Sequence, residues 1–67
     1  MAIVKVIEIL AQSEKGWEDA VNEAITEAAK TVTNIKSVYA KEFQADVVNN
    51  KVTAYRVNCK ISFLVDR

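Results

Sequence analysis

The hydrophobic positions of this chain follow two different periods, which together predict a strand, a helix and two further strands. Residues 2–12 are rich in β-branched side chains and apolar on both faces, which favours a strand. Apolar residues then recur every three or four positions as far as about Thr33, which predicts a helix with one apolar stripe. The members of this stripe are Trp17, Ala20, Val21, Ala24, Ile25, Ala28 and Val32.

We expect the helix to start at Ser13, because a serine hydroxyl is a preferred acceptor for the free N–H groups of a first helical turn. Glu14 would then place negative charge at the positive end of the helix dipole. Because both faces of the first strand are apolar, we also expect both to be covered in the working protein.

Residues 35–48 and 52–66 predict two long strands joined by a tight turn at Asn49-Asn50. Asparagine tolerates the left-handed backbone that a two-residue hairpin turn requires. Each strand is about twice the usual strand length. One helix cannot cover a hairpin of this length, so we expect the hairpin to contact other subunits.

Counting backward from the turn predicts which residues share each face of the hairpin. One face is apolar, and we expect the helix to cover it; it carries Val38, Ala40, Tyr55, Val57, Cys59, Ile61 and Phe63. The other face mixes aromatic, cationic and polar side chains, and it carries Ile35, Ser37, Tyr39, Lys41, Phe43, Arg56, Asn58, Lys60, Ser62 and Leu64. The predicted opposite pairs are Val38 with Ile61, Ala40 with Cys59, Ser37 with Ser62, Tyr39 with Lys60, and Phe43 with Arg56. A bulge would exchange the faces beyond it.

The mixed face has two interpretations. It could hold a flat or anionic ligand, because aromatic rings and cationic groups lie side by side on it. It could equally be an ordinary solvated or subunit-contact face, on which lysine stems lie along apolar residues. The residues alone favour the second interpretation, because mixed faces are common on protein surfaces.

Composition favours self-association. A chain of 67 residues, here a single domain over 1–67, buries only about 60% of the surface that its unfolded form exposes. The single cysteine, Cys59, allows no internal disulfide, and the absence of histidine removes the commonest metal ligand and general base. Oligomerisation is the remaining way to stabilise so small a domain.

The charged residues argue against binding to nucleic acid and against insertion into a membrane. Lysine and arginine total 9, and aspartate and glutamate also total 9, which argues against a nucleic-acid-binding protein. The apolar run at the start of the chain is interrupted by Lys5 and Glu8, so we expect no membrane span and no signal peptide. We therefore expect a cytoplasmic protein.

The sequence contains no pattern typical of catalysis, and we predict that the protein is not an enzyme. Cys59 lies in the middle of a strand on the apolar face, which indicates a buried core residue rather than a nucleophile. Trp17 lies on the apolar stripe of the helix and is also predicted to pack in the core. Glu23 and Glu27 could share a cation, but two carboxylates supply too few oxygen ligands, so a solvated helix face is favoured.

In the order of its elements and in several short segments, the chain resembles the dodecins. These segments are Val4–Ile9 followed by Ala11-Gln12-Ser13 and Trp17, then Asn34-Ile35, Lys41-Glu42-Phe43, and Tyr55–Phe63. The resemblance covers nearly the whole chain without a gap. It implies an α+β fold of β-α-β-β order, with a three-stranded antiparallel sheet packed on one helix. It also implies a hollow homododecameric shell of cubic symmetry that stores or buffers riboflavin or flavin mononucleotide (FMN).

The resemblance also implies which residues would meet the ligand. In typical dodecins a tryptophan of the second strand stacks on the flavin ring, and a glutamine of the third strand contacts it. These positions hold Ser37 and Arg56 here. Tyr39 could supply a substitute ring, while Arg56, Lys41 and Lys60 could suit the phosphates of coenzyme A, with which some dodecins are associated. We therefore predict a non-catalytic shell with weak or absent flavin binding that serves as a scaffold or holds another small ligand; the alternative is a true flavin-binding dodecin with an altered site.

Overall fold

A computed structural model describes residues 3–65, and they form the β-α-β-β unit that the sequence predicts. The elements are β1 (Ile3–Ser13), α1 (Trp17–Ala28), β2 (Ile35–Val48) and β3 (Lys51–Val65). The three strands form an antiparallel sheet in the order β1-β3-β2, so β3 lies in the centre. The predicted fold class is confirmed. The strand bounds agree within one residue, and the predicted strand residues 2 and 66 lie outside the described part of the chain.

The turn between β2 and β3 is formed by Asn49-Asn50, as predicted. Both residues have positive φ angles, 52° and 64°. This is the conformation of a two-residue turn whose twist matches that of the flanking strands. Val48 lies opposite Lys51, which fixes the register from which the rest of the hairpin follows.

The core lies between the helix and the central strand. Ala20, Ala24 and Ala28 recur every four residues on one face of α1 and are almost completely buried. Because their side chains are small, the helix lies close to the sheet. The two layers, helix and sheet, together measure 13 Å in the shortest dimension of the chain. The central strand supplies the other half of this core, with Val57, Cys59 and Ile61 fully buried. The predicted apolar face and the predicted burial of Cys59 are confirmed.

The prediction that Ser13 caps the helix is wrong. Ser13 is the last residue of β1, and the N-cap position is held by Gly16, whose φ of 158° and ψ of 173° are rarely adopted by residues with a side chain. The Ser13 hydroxyl instead donates a hydrogen bond to Asp19 Oδ2 at 2.6 Å and accepts one from the N–H of Lys15 at 2.9 Å. The hydroxyl therefore closes the corner between strand and helix.

The helix also ends earlier than predicted, at Ala28 rather than at about Thr33. The N–H groups of residues 30 and 31 bond to carbonyls three residues earlier, at 3.2 and 3.1 Å, so the last turn tightens. Residues 31–33 are all β-branched, which lowers their preference for helix. Asn34 then adopts a φ of 60°, and its carbonyl accepts the N–H of Leu64 at 3.1 Å. Within residues 3–65, no helix is both long enough and apolar enough to cross a membrane.

The strand β2 contains a bulge that the count from the turn does not anticipate. The predicted pairs Val38–Ile61, Ala40–Cys59, Ser37–Ser62 and Tyr39–Lys60 are all present. The register shifts by one residue between Lys41 and Gln44, where Glu42 has a φ of 55°, and it shifts back after Asp46. As a result Gln44 lies opposite Arg56, and the predicted Phe43–Arg56 pair is wrong.

This bulge turns Phe43 toward the helix side of the sheet. Its ring meets the ring of Trp17 edge to face, with centroids 6.0 Å apart, and Trp17 also packs edge to face on Tyr55 at 4.9 Å. The indole Nε1 of Trp17 donates a hydrogen bond to the carbonyl of Gln44 at 2.9 Å. Trp17 is 39% exposed, so it packs at the rim of the core. The prediction that it lies inside the core is wrong.

A further irregularity near the start of β2 moves Ile35 as well. The register shifts between Ile35 and Ser37, and Ile35 packs against the core. The prediction that Ile35 lies on the mixed face is therefore wrong.

The single chain is elongated. The Cα radius of gyration is 13.8 Å and the longest dimension is 52 Å, whereas a compact chain of this length would have a radius of about 11 Å. The 12-residue helix is only about 18 Å long, so it covers only part of the hairpin. The hairpin end carries exposed apolar side chains, namely Val47, Val48 and Val52.

Candidate functional site

The face of the sheet that is turned away from the helix, hereafter the outer face, brings together the residues that the sequence singled out. Residues directly opposite each other on paired strands share a face. Ser37 lies opposite Ser62, Tyr39 opposite Lys60, and Lys41 opposite Asn58. Arg56 alternates with the buried residues of β3 and therefore points to the same side. The five predicted site residues, Ser37, Tyr39, Lys41, Arg56 and Lys60, thus lie on one surface.

The strand β1 extends the outer face on the far side of β3, which the hairpin count alone did not include. Glu8 lies opposite Lys60, Leu10 opposite Asn58, and Gln12 opposite Arg56. Alternate residues of β1 form an exposed apolar strip that consists of Val4, Val6 and Leu10. The expectation that both faces of β1 are covered is therefore not met within one chain. Glu8 lies between Val6 and Leu10 on the same face, so a charged residue interrupts this strip.

Carboxylates accompany the cations of the outer face. The Nζ of Lys41 lies 3.7 Å from Oε2 of Glu8. The guanidinium Nη2 of Arg56 donates to Oδ1 of Asp46 in an ion pair. Two of the three predicted cations of this face, Lys41 and Arg56, are therefore paired with carboxylates within the chain.

Two polar atoms of the outer face are buried without a partner among the described residues. They are Nε of Arg56, a donor, and Oδ1 of Asn58, an acceptor. The orientation of the Asn58 amide follows from its other end, because Nδ2 donates to Oε1 of Glu42 at 3.1 Å. A buried polar atom without a hydrogen bond costs about 1–3 kcal/mol. Because the chain itself covers both atoms, a ligand or a neighbouring chain would recover this free energy only after a side chain moves.

Tyr39 supplies an aromatic ring for the outer face. It is 64% exposed, and it stands opposite Lys60 in the register. Stacking of a flat heterocycle on an aromatic side chain is worth about 1–3 kcal/mol. Ser37, two residues earlier on the same face, is too small to stack, and Phe43 has moved to the other side. Among the described residues of the outer face, Tyr39 is therefore the exposed aromatic ring.

Glu23 and Glu27, the two helix carboxylates that could share a cation, lie apart from the outer face. Glu23 and Glu27 line a hollow of about 220 Å³ beside β1. Glu27 accepts a hydrogen bond from Lys30 at 2.9 Å, and this contact raises the pKa of the Lys30 ammonium group. Among residues 3–65, no group of three or more histidine, cysteine or acidic side chains lies close enough to hold a metal ion.

Thiol labelling tests the assignment of the two faces. Cys59 has no exposed surface, and burial raises the pKa of its thiol, so the reactive thiolate is scarcer than in a free cysteine. We expect Cys59 to react with an aromatic disulfide reagent at least about a hundredfold more slowly in the native protein than in denaturant, because reaction requires local opening. The release of the coloured thiol measures both rates. Fast labelling of the native protein would place Cys59 on the outer face and contradict the face assignment.

The chain matches a model of the dodecin family over residues 3–66. The crystal structure of an arginine-to-alanine variant of the Thermus thermophilus dodecin has 25% sequence identity and a TM-score of 0.94 over 100% of both chains. The dodecin of Streptomyces coelicolor matches with 21% identity and a TM-score of 0.93, covering 98% of this chain and 94% of its own. No curated protein sequence matches the chain significantly.

A further structure is similar at a higher identity. It is the calcium dodecin of Mycobacterium tuberculosis, described as a calcium-chelating immunodominant antigen with a novel calcium-binding site. The two sequences are 31% identical, the match covers 96% of this chain and 91% of the other, and the TM-score is 0.81.

Proposed function

The chain belongs to the dodecin family, and from this premise we propose that it forms a hollow homododecameric shell that stores a small flat ligand on its outer face. The role is binding, not catalysis. The observation that carries the ligand half of the proposal is the exposed ring of Tyr39, which shares one face of the sheet with the unpartnered polar atoms Arg56 Nε and Asn58 Oδ1.

The small core and the exposed apolar side chains of a single chain support assembly. The core of one chain is built on three helical alanines and a few residues of β3, which is little for a stable domain. The strip of Val4, Val6 and Leu10 faces water. Covering apolar surface is worth about 25 cal/mol per Å². A second copy of the chain is the partner that the premise indicates, and its hairpin end presents further uncovered valines.

Weak flavin binding follows from two substitutions on this surface. The family resemblance aligns Ser37 with the stacking tryptophan of typical dodecins and Arg56 with their ring-contacting glutamine. The loss of one stacked ring lowers affinity by about tenfold to a hundredfold. The second candidate function, storage of riboflavin or FMN through an altered site, is favoured by the exposure of Tyr39, which offers a replacement ring.

Native mass spectrometry of the protein purified from its own cells tests both halves of the proposal. We expect a particle of twelve subunits, together with the added mass of a bound small molecule. An absorbance band at about 450 nm would identify that molecule as an oxidised flavin and favour the second candidate. Light scattering that showed a stable folded monomer at about micromolar concentration would contradict the shell.

A further inference from the structure

We propose that Asp46 determines the ligand class of the outer face. By holding Arg56 in an ion pair, it disfavours phosphate-bearing ligands and leaves a site for uncharged flat heterocycles. This inference rests on the proposed function, because it concerns the same surface. It reverses the expectation from the sequence that the cations of this face suit phosphates.

The ion pair joins β2 and β3, two neighbouring strands of the sheet. Asp46 lies opposite Ala54, and Arg56 follows two residues later on the same face of β3. Ala54 is only 7% exposed and is not part of the core beneath the helix, which is consistent with the paired side chains covering it. The side chains of Arg56 and Asp46 are 31% and 41% exposed, so solvent screens their attraction only in part.

A phosphate that approached this surface would meet negative charge beside each cation. An arginine normally binds phosphate through its terminal nitrogens, but Nη2 of Arg56 is already used by Asp46. Lys41 lies near Glu8, and Lys60 lies directly opposite Glu8 across the β1–β3 pairing. Binding a phosphate would therefore require an ion pair to break or like charges to approach each other.

The groups that remain available suit an uncharged ligand. Nε of Arg56 and Oδ1 of Asn58 have no hydrogen-bond partner among the described residues, but the chain covers both atoms, so a ligand reaches them only when a side chain turns aside. They stand two residues apart on one face of β3. The ring of Tyr39 provides the stacking surface. A flat heterocycle without a phosphate can stack on Tyr39, on the side of the face where Asn58 lies, without breaking an ion pair.

Riboflavin and FMN are suitable probes, because FMN differs by one phosphate, which carries about −1.5 to −2 charges near neutral pH. Quenching of flavin fluorescence on titration reports their affinities. The measurements use the assembled wild-type protein and its Asp46→Asn variant, and both are repeated with Ser37→Trp added, so that a stacking ring keeps weak binding measurable. Glu14→Gln is the matched control, because it removes the same charge from an exposed corner away from the outer face.

We expect riboflavin to bind more tightly than FMN. Asp46→Asn should strengthen FMN binding by about three- to tenfold and change riboflavin binding by less than about twofold. The gain for FMN should shrink at about 1 M salt, where charges are screened within about 3 Å. Glu14→Gln should leave both affinities unchanged.

Two results would count against the inference in different ways. If FMN binds as tightly as riboflavin and Asp46→Asn changes neither selectively, Asp46 does not set the ligand class, although the face still binds a flat ring. If neither flavin binds even in the Ser37→Trp shell, the outer face is not a site for flat heterocycles, and the proposed function and the inference are overturned together.

Discussion

Replacing Ser37 with tryptophan and Arg56 with glutamine in one protein is expected to strengthen flavin binding by about tenfold to a hundredfold. Ser37 is exposed on the outer face and has room for a larger side chain toward solvent. Tryptophan there would supply the stacking surface, and glutamine at 56 would offer a neutral donor and acceptor to the ring edge. Asp46 would lose its partner, but it is partly exposed and can be hydrated. Quenching of flavin fluorescence measures the affinity.

The double variant should exceed the product of the single changes, because both residues would act on one ring. Asn22→Trp is a useful control, since it adds the same ring to an exposed position of the helix. A double variant that assembles normally yet binds no better than the wild type would show that Ser37 and Arg56 do not occupy the ligand positions of other dodecins. Tight binding by the wild type would instead point to Tyr39, with Tyr39→Ala as the next variant.

The substitution Ile61→Ala is expected to lower the free energy of unfolding by about 3 kcal/mol, within the range of about 2–5 kcal/mol found for such truncations. Ile61 is the largest fully buried side chain of the described residues, and it lies between Ile7 of β1 and Val38 of β2. The cavity left by alanine would loosen the contact between all three strands and the helix. In so small a core, a loss of this size should also weaken the shell. Urea denaturation measures the change.

Ile61→Val is the graded control, because it removes one methylene group at the same place and should cost only about 1 kcal/mol. If Ile61→Ala stayed within about 0.5 kcal/mol of the wild type, Ile61 would behave as a surface residue. The central position of β3 in the core would then be wrong.

The sequence by itself determined the order of the elements, the hairpin and the core side of the central strand. These features depend on local rules. Asn49-Asn50 fixes the turn because asparagine accepts positive φ angles. From there the two-residue period of a strand places Cys59 in the core, and it places Tyr39 opposite Lys60 on the other face.

Only the tertiary structure decided where that period is broken and how the charges pair. The bulge at Glu42 has no local signal, since a glutamate at positive φ is unfavourable by itself. Trp17, 27 residues before Gln44, packs on Phe43 and donates to the Gln44 carbonyl, and these contacts favour the shifted register. The Arg56–Asp46 pair lies beyond the same bulge. Contacts between distant residues therefore set the register and charge of the outer face, because neither is encoded in any short segment of the chain.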